Sequence, residues 1–432
     1  AALRNRHNPQ CCNEYNPRLV PNLYRFIKKF LCHPKRDTID EYVARITDSG
    51  KRKLYADYAA SMRSGNQRLR SSITAFTKIE KMATTKYKAP RLIQARHITF
   101  NIEYGRYIKP IEYTLCHTHK NRHLFGKGDY DEIGRRVHKL ASKYKYVTEA
   151  DHSEFDAHVT LEHLRLTHVF YQACFHHDKN LRWLSKQTLR NSVKTFHGDK
   201  WTIKGTRMSG DVDTSLGNSL INYSILKFAL EQMGLKGEVI VNGDDSLIFT
   251  NVPVSSDEFI AICRTLNMET KIALVTDLIH EAEFCKTKLV YRSDGKPTMM
   301  YNPKRMVDIF GMQYKHLRLD VEYCYQVAIG MKMMHKNTPL HYYWDDVISK
   351  LYSKCNTKYR DKLSLLDLNL RLQIKLQQGT IISNSEFTQS MFQAWAEEIY
   401  YLKRNWRTLL NVRPSLIKRI SIDHDNKKLD IS

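Results

Sequence analysis

The stretch Val239-Ile240-Val241-Asn242-Gly243-Asp244-Asp245-Ser246-Leu247-Ile248-Phe249 decides the fold. Two apolar runs flank an Asn-Gly pair, which is the pattern of a tight β-hairpin. Adjacent carboxylates at the tip of a hairpin repel each other unless a cation sits on them. Mg²⁺ held by carboxylates is the usual apparatus of phosphoryl transfer. Taken alone, the tetrad 242–245 reads better as an ordinary solvated turn, because Asn, Gly and Asp are turn residues. The rest of the chain has to decide between the two.

Working upstream, 144–149 reads as a strand with Asp151 at its carboxyl end. If that strand and the hairpin share a sheet, Asp151, Asp244 and Asp245 converge. Two-metal catalysis needs such a cluster, with ions roughly 3.5–4 Å apart. Between them, 160–190 reads as helix, and 213–233 has apolar residues at helical spacing behind a Ser-Gly loop. Downstream, 257–266 reads as helix, and 271–275 and 283–291 as strands. Beyond about residue 315 the patterns are mainly helical. Residues 1–75 mix short helical patterns with basic and aromatic residues. The expected class is α+β, with a mixed region before the central unit and a helical region after it.

The 432 residues suffice for several subdomains. Their 69 Lys and Arg against 45 Asp and Glu leave a net charge of +24, spread from end to end. Such an excess is hard to explain by solubility and points to a polyanionic partner, RNA or DNA. Nine cysteines form no C-x-x-C pair and suggest neither zinc nor disulfides. His117, His119, His123, His176 and His177 are spaced so that they could bind a metal, but read better as surface or RNA-facing. No apolar segment reaches the length of a membrane span; the longest candidate, 216–230, contains Asn218, Asn222 and Lys227. A first residue Ala1 rather than Met suggests a piece of a larger product.

The local strings carry more than spacing. DHSEFDAHV (151–159), SGDVDTSLGN (209–218) and NGDD (242–245) stand in the order of motifs A, B and C of viral RNA-dependent RNA polymerases, which they resemble. AFTKIEK (75–81) with APRLIQARHITFNIEYGRYIKPIE (89–112) resembles motif F of the tombusvirus-like branch within the flavivirus-like supergroup. EFCKTKLVY (283–291) resembles its motif E. His152 and Glu154 fill variable positions, and Ala95 stands where a Pro is expected; neither departure removes a catalytic group.

The resemblance implies a right-hand architecture of fingers, palm and thumb. The palm would be an antiparallel sheet with flanking helices, and the thumb helical. Fingers would come mostly from 1–145 and an excursion at 166–197, palm from 146–165 and 198–291, and the thumb and C-terminal helical region from 292–432. It implies two Mg²⁺ ions, with Mn²⁺ able to replace them, on Asp151 and Asp244, with Asp245 a secondary ligand. Asp156, Ser209, Thr214 and Asn218 would position the nucleotide and sense its 2′-hydroxyl, which separates RNA from DNA precursors. For Thr214 and Asn218 the alternative is capping of the following helix. Lys78, Lys81, Arg91 and Arg96 would bind the triphosphate, Arg91 most firmly, whereas Lys86 and Lys88 read as a solvated face. Lys271 would serve as general acid for pyrophosphate. Phe284 and Cys285 would pack between palm and thumb, Cys285 as a small buried hydrophobe.

The partners so implied are template and product RNA, ribonucleoside triphosphates, and other viral replication proteins or a membrane anchor outside this chain. The setting would be host cytoplasm at membrane-associated replication sites, and the task copying of a positive-strand RNA genome with primer-independent initiation. Two other readings compete. A reverse transcriptase or DNA polymerase shares the palm and metals, but Asp156 stands where such enzymes carry a bulky aromatic. A basic RNA-binding protein without catalysis fits the charge but not the acidic set. Tyr343-Trp344-Asp345-Asp346 imitates a paired-aspartate motif, yet lacks flanking strands and reads as a helix start.

Overall fold

The computed structural model describes residues 2, 8–78, 89–308, 310–311, 319–360, 362–378, 386–410, 420–422 and 429–431. The chain forms two compact units. The first runs through Lys78, resumes over Ala89–Lys127 and closes with Lys139–Cys285; the second comprises Gly128–His138 and the chain from Lys286.

The first unit holds strands β1 (Ile73–Thr77), β2 (Leu92–Arg96), β3 (Tyr146–His152), β4 (Arg190–Thr195), β5 (Lys200–Lys204), β6 (Gly237–Asn242), β7 (Asp245–Thr250), β8 (Thr270–Thr276) and β9 (Glu283–Phe284). Its main helices are α1 (Ile39–Ala44), α2 (Ser49–Arg63), α3 (Ile98–Tyr113), α4 (Leu161–Cys174), α5 (Lys179–Lys186), α6 (Thr214–Gln232) and α7 (Ser256–Thr265).

The central sheet has the order β6-β7-β3-β8, with every neighbouring pair antiparallel. The apolar runs read as a hairpin do pair, Val239 with Ile248 and Ile240 with Leu247. All six residues of the two runs are buried. Continuous Val/Ile/Leu/Phe, rather than alternation, is what a strand buried on both faces requires. Helix α6 packs against β6 and α7 against β8. Helix α6 is buried on nearly all sides, as its lack of a polar face demands.

A second sheet, β2-β1-β4-β5, joins the two ends of the motif F string to residues 190–204. Here β1 runs parallel to β4 and antiparallel to β2. Ile73, Ala75, Leu92, Val193, Ile203 and Met208 form its core.

The second unit contains the β10 (Thr287–Tyr291) and β11 (Pro297–Tyr301) hairpin and helices α8 (Asp320–Met334), α9 (Leu340–Tyr352), α10 (Leu368–Leu376) and α11 (Gln389–Leu410). Its core gathers Met300, Tyr343, Trp344, Met391 and Trp395. Helix α11 kinks at Trp395, whose indole N–H donates to the Met300 carbonyl at 3.0 Å.

Four boundaries differ from the sequence reading, each for a physical reason. Asp151 lies inside β3 instead of after it, because β8 goes on pairing past a bulge at Glu149–Ala150 as far as His152 opposite Thr270. The helix expected over 160–190 breaks where His176 and His177 take left-handed φ of 51° and 60°, and α5 restarts on an Asp178 cap. The strand expected over 283–291 divides at Cys285 and Lys286, with φ of 51° and 63°. Asp345 and Asp346 belong to α9, but its start at Leu340 puts them beyond the first turn.

Candidate active site

At the hairpin, Asn242 pairs with Asp245, so Gly243 and Asp244 form the turn rather than Asn242 and Gly243. Gly243 takes φ of 62°, a conformation that favours glycine. The two aspartates are therefore not equivalent. Asp244 stands at the tip. Asp245 begins β7, and its oxygens accept the N–H groups of Ser246 at 3.0 Å and Cys285 at 2.8 Å.

Helix α6 clamps the tip from behind. The Gly243 N–H donates to Ser219 Oγ at 2.8 Å, and Asn222 Nδ2 donates to the Gly243 carbonyl at 3.2 Å. That fixes Asn222 Oδ1 as an acceptor, facing His152 Nε2 at 2.9 Å. His152 Nδ1 meets Thr270 Oγ1 at 2.8 Å. Burial depresses the His152 pKa to about 4, so the ring is neutral and carries its proton on Nε2. Strand β3, α6, β8 and the hairpin are thus pinned through one histidine.

Burial first and like charge second raise Asp156, Asp244 and Asp245. The surrounding protein desolvates Asp244 even though its side chain reaches the surface, and like charge on Asp151 adds to the effect; its carboxyl lies above the usual range. Burial, then Asp244, push Asp245 up to about 6 against the N–H donated by Cys285. Burial also lifts Asp156 to about 6, with Asn218 opposing and Asp244 assisting. Among the described residues, no three His, Cys, Asp or Glu side chains already close on a common metal position. The donor chemistry nevertheless fits a divalent cation. Asp151 and Asp244 offer hard oxygens, and mutual repulsion among desolvated carboxylates is what a cation relieves. Asp245 fits less well, since backbone N–H groups already occupy both its oxygens.

A cavity of about 580 Å³ opens beside the tip, a volume suited to a small ligand. Asp156, Ser209, Thr214, Asn218 and Asp244 line it together with Arg91. Two lysines line it as well, Lys51 of α2 and Lys109 of α3. Burial and the charge of Lys109 lower the pKa of Lys51, and Lys109 pairs with Glu112 at 3.0 Å. One cavity therefore carries cations and carboxylates together.

Strand β2 holds the loop that opens α6. Gln94 N–H donates to Ser209 Oγ at 3.1 Å, and Gly210 N–H donates to the Gln94 carbonyl at 2.9 Å. A Cβ on Gly210 would lie 2.4 Å from that carbonyl, so only glycine allows the approach. Thr214 Oγ1 donates back to the Met208 carbonyl at 2.8 Å, which closes the loop. Asn218 Nδ2 donates to Asp156 Oδ1 at 2.8 Å.

The expected residues divide by place. Asp156, Ser209, Thr214, Asn218, Asp244 and Arg91 meet at the cavity. Asp151 and Lys271 lie opposite each other on β3 and β8, both exposed, and do not line it. Arg96 does not reach it either: its guanidinium is fully buried and grips both oxygens of Asp211 at 2.6 and 2.9 Å, with Asn191 and the Ser71 carbonyl as further acceptors. The Lys78 backbone N–H bonds the Arg91 carbonyl at 2.7 Å. Lys81, Lys86 and Lys88 lie outside the described residues. Sequence reasoning missed Lys51, Lys109, Ser219, Asn222 and the structural use of His152. Only the polar positions interrupting apolar α6 could have signalled Ser219 and Asn222; Lys109 stands inside the 89–112 string without being singled out there, and nothing local marks Lys51.

A family profile described as viral RNA dependent RNA polymerase matches residues 16–321. Similar proteins named RNA-directed RNA polymerase include that of Panicum mosaic virus (strain United States/Kansas 109S), 29% identical over 238 residues, 51% of this chain and 24% of that protein. That of Red clover necrotic mosaic virus is 30% identical over 261 residues, 56% of this chain and 34% of that protein. That of Tobacco necrosis virus (strain A) is 29% identical over 251 residues, 55% and 34% respectively. The matched part spans about a quarter to a third of the length of these relatives. With the family profile covering well over half of its residues, the chain belongs to the viral RNA-dependent RNA polymerases.

Proposed function

We propose that the chain carries out template-directed RNA synthesis from ribonucleoside triphosphates in the replication of a positive-strand RNA virus. The observation that carries this reading is the single cavity joining Asp156, Asn218 and Asp244 to Arg91, Lys51 and Lys109. A nucleoside triphosphate has matching parts: a sugar that needs polar partners and phosphates that need cations. The family likeness and the charge of +24 support RNA as template and product, held mainly by backbone phosphate contacts.

In this reading the β6-β7-β3-β8 sheet with α6 and α7 is the palm, residues before it are mostly fingers, and the helical second unit is the thumb. Asp151 and Asp244 would hold Mg²⁺, or Mn²⁺ in its place, with Asp245 holding the hairpin to Cys285. Bound there, the metal supplies charge neutralisation and an acidified 3′-hydroxyl. The 3′-hydroxyl of the growing strand would form the new bond to the α-phosphate, giving up its proton to solvent, as the bond to the departing pyrophosphate breaks. Arg91, Lys51 and Lys109 orient the triphosphate and shield its charge. Lys271 returns a proton to the pyrophosphate. Asp156 and Asn218, with Ser209, read the ribose 2′-hydroxyl. Arg96 acts at a distance, by fixing the loop through Asp211.

Initiation without a primer, work beside other replication proteins, and a cytoplasmic site on host membranes rest on the family likeness alone. Among the described residues no helix is long and apolar enough to cross a membrane, so attachment would need another segment or a partner. The deciding measurement is nucleotide incorporation on an RNA template, with and without Mg²⁺ and with and without a primer. Template-dependent, Mg²⁺-dependent incorporation of ribonucleotides is expected. RNA binding without incorporation would favour a non-catalytic role and overturn the proposal.

A further inference from the structure

Arg207 belongs to none of the roles above, yet it lies directly behind the residues assigned to the sugar. It precedes the Ser209 loop and is 1% exposed. Its Nε donates to Asn218 Oδ1 at 2.9 Å, and its Nη1 to Asp213 Oδ2 at 3.0 Å. Tyr171 holds the same Asp213 oxygen at 3.0 Å. The backbone N–H of Arg207 also bonds the Asp156 carbonyl at 2.9 Å. Arg207 therefore touches Asp156 through the main chain and Asn218 through the side chain.

An asparagine amide has one acceptor end and one donor end. A guanidinium can only donate, so Arg207 fixes Oδ1 of Asn218 toward itself. The NH₂ end must then face Asp156, where it donates at 2.8 Å. That single orientation satisfies one oxygen of Asp156 and leaves the other to accept from a ligand hydroxyl. With the amide reversed, an oxygen would face the carboxylate, a repulsive contact.

We infer that Arg207 is a positioning residue for ribose selection, acting by locking the Asn218 amide in the orientation that presents Asp156 to the 2′-hydroxyl. The inference rests on the sugar-reading role proposed for Asp156 and Asn218, and deepens it.

Gly217 supplies an independent handle on the same geometry. A Cβ at this position would lie 2.1 Å from Arg207 Nη2 and 2.9 Å from its Cζ. Nη2 has no hydrogen-bond partner among the described residues, and it is the atom nearest the space a side chain at 217 would take. Glycine at 217 is needed for space, since alanine suits a helix interior better. Gly217→Ala should therefore push the guanidinium aside while leaving α6 helical.

The test compares incorporation of ribonucleotides and 2′-deoxyribonucleotides by the full chain, as a ratio of kcat/KM values. Asn218→Ala should lower that ratio about tenfold, the effect of one hydrogen bond to a charged group. Arg207→Lys and Gly217→Ala should each lower it by a similar factor, and neither should lower it further when combined with Asn218→Ala. A merely structural role would reduce both substrates alike and keep the ratio. If Asn218→Ala lowers the ratio while Arg207→Lys and Gly217→Ala preserve it, this inference fails and the sugar-reading assignment stands. Losses that multiply in the double variants also overturn it. An unchanged ratio in Asn218→Ala overturns both. Should Arg207→Lys not fold, Gly217→Ala gives the same decision.

Discussion

Two groups of aspartates lie within the first unit, one buried against arginines and one at the hairpin end, and they differ in what faces them. Asp211 and Asp213 are each paired with a buried arginine, Arg96 and Arg207. Burial opposes the charge on Asp213, yet Arg207, His168 and Tyr171 outweigh it and its carboxyl lies below the usual range, whereas at Asp211 burial outweighs Arg96 and the carboxyl lies above it. At the hairpin end, burial and like charge outweigh the opposing Arg207 and Arg91 at Asp156 and Arg91 at Asp244, and Asp156, Asp244 and Asp245 all lie above the usual range. A carboxylate the protein neutralises itself is part of the scaffold. One left desolvated beside like charge stores a demand for a cation or a proton, and such groups cluster at functional sites.

The contrast predicts different failures on mutation. Asp244→Ala should abolish incorporation, by on the order of a thousandfold or more, because it removes charge organisation at the reacting phosphate. RNA binding and thermal stability should persist, measured by filter retention and thermal unfolding. Full activity would break the assignment of this group as the reacting one.

Arg96→Ala should do the reverse. Removing one partner of a buried pair strands the other charge and costs about 3–5 kcal/mol. Thermal or urea unfolding should register that loss. Arg91→Ala, on an exposed residue of the same string, should shift stability by no more than about 0.5 kcal/mol and raise the KM for nucleotide. Equal stability losses would erase the distinction between scaffold and site arginines.

That pair also shows where sequence legibility ended. Arg91 and Arg96 lie in one motif string and carry the same charge, and nothing local separates them. Their fates are set by a sheet register that turns Arg96 inward to Asp211, 115 positions later in the chain. The central hairpin was legible because its signal is local: two apolar runs and a turn. The helical character of the region after 315 was legible for the same reason. The break at Cys285 was not, since two non-glycine residues in left-handed conformation answer to tertiary contacts, among them the Cys285 N–H held by Asp245. Lys51 and Lys109 reach the cavity from α2 and α3, and no spacing rule connects helices so far apart in sequence to the hairpin.

Within the acidic group a smaller contrast is testable. Asp245→Asn keeps one carbonyl oxygen but loses an acceptor for a backbone N–H, so activity should fall about tenfold. The Mg²⁺ concentration giving half-maximal rate should stay unchanged, whereas in Asp244→Asn it should rise. A rise in both variants would make Asp245 a direct metal ligand.

The smallest effect concerns protons. Asp156 and Asp245 each titrate near 6 in the folded protein against an ordinary value of 3.8. Between those limits these two carboxyls bind more protons in the folded state than in the unfolded chain and favour the fold as the pH falls from 7 toward 4. His152, His163, His168 and His335, which burial holds near 4, oppose them, so the effect of a cation reports on the carboxylates and the pH dependence of the metal-free protein does not. A divalent cation held by Asp151 and Asp244 puts positive charge beside Asp156 and Asp245 and so opposes their protonation, and it stabilises by binding only the folded state. Mg²⁺ should therefore raise the Tm by a few degrees at pH 7.5 and by distinctly less at pH 5.5, where protons already relieve the repulsion. The Arg207–Asp213 pair cannot produce this dependence, because its carboxyl is depressed and stays ionised across the range. A Tm rise equal at both pH values would mean that Mg²⁺ binds elsewhere, and the acidic group would then be no more of a cation site than the paired one.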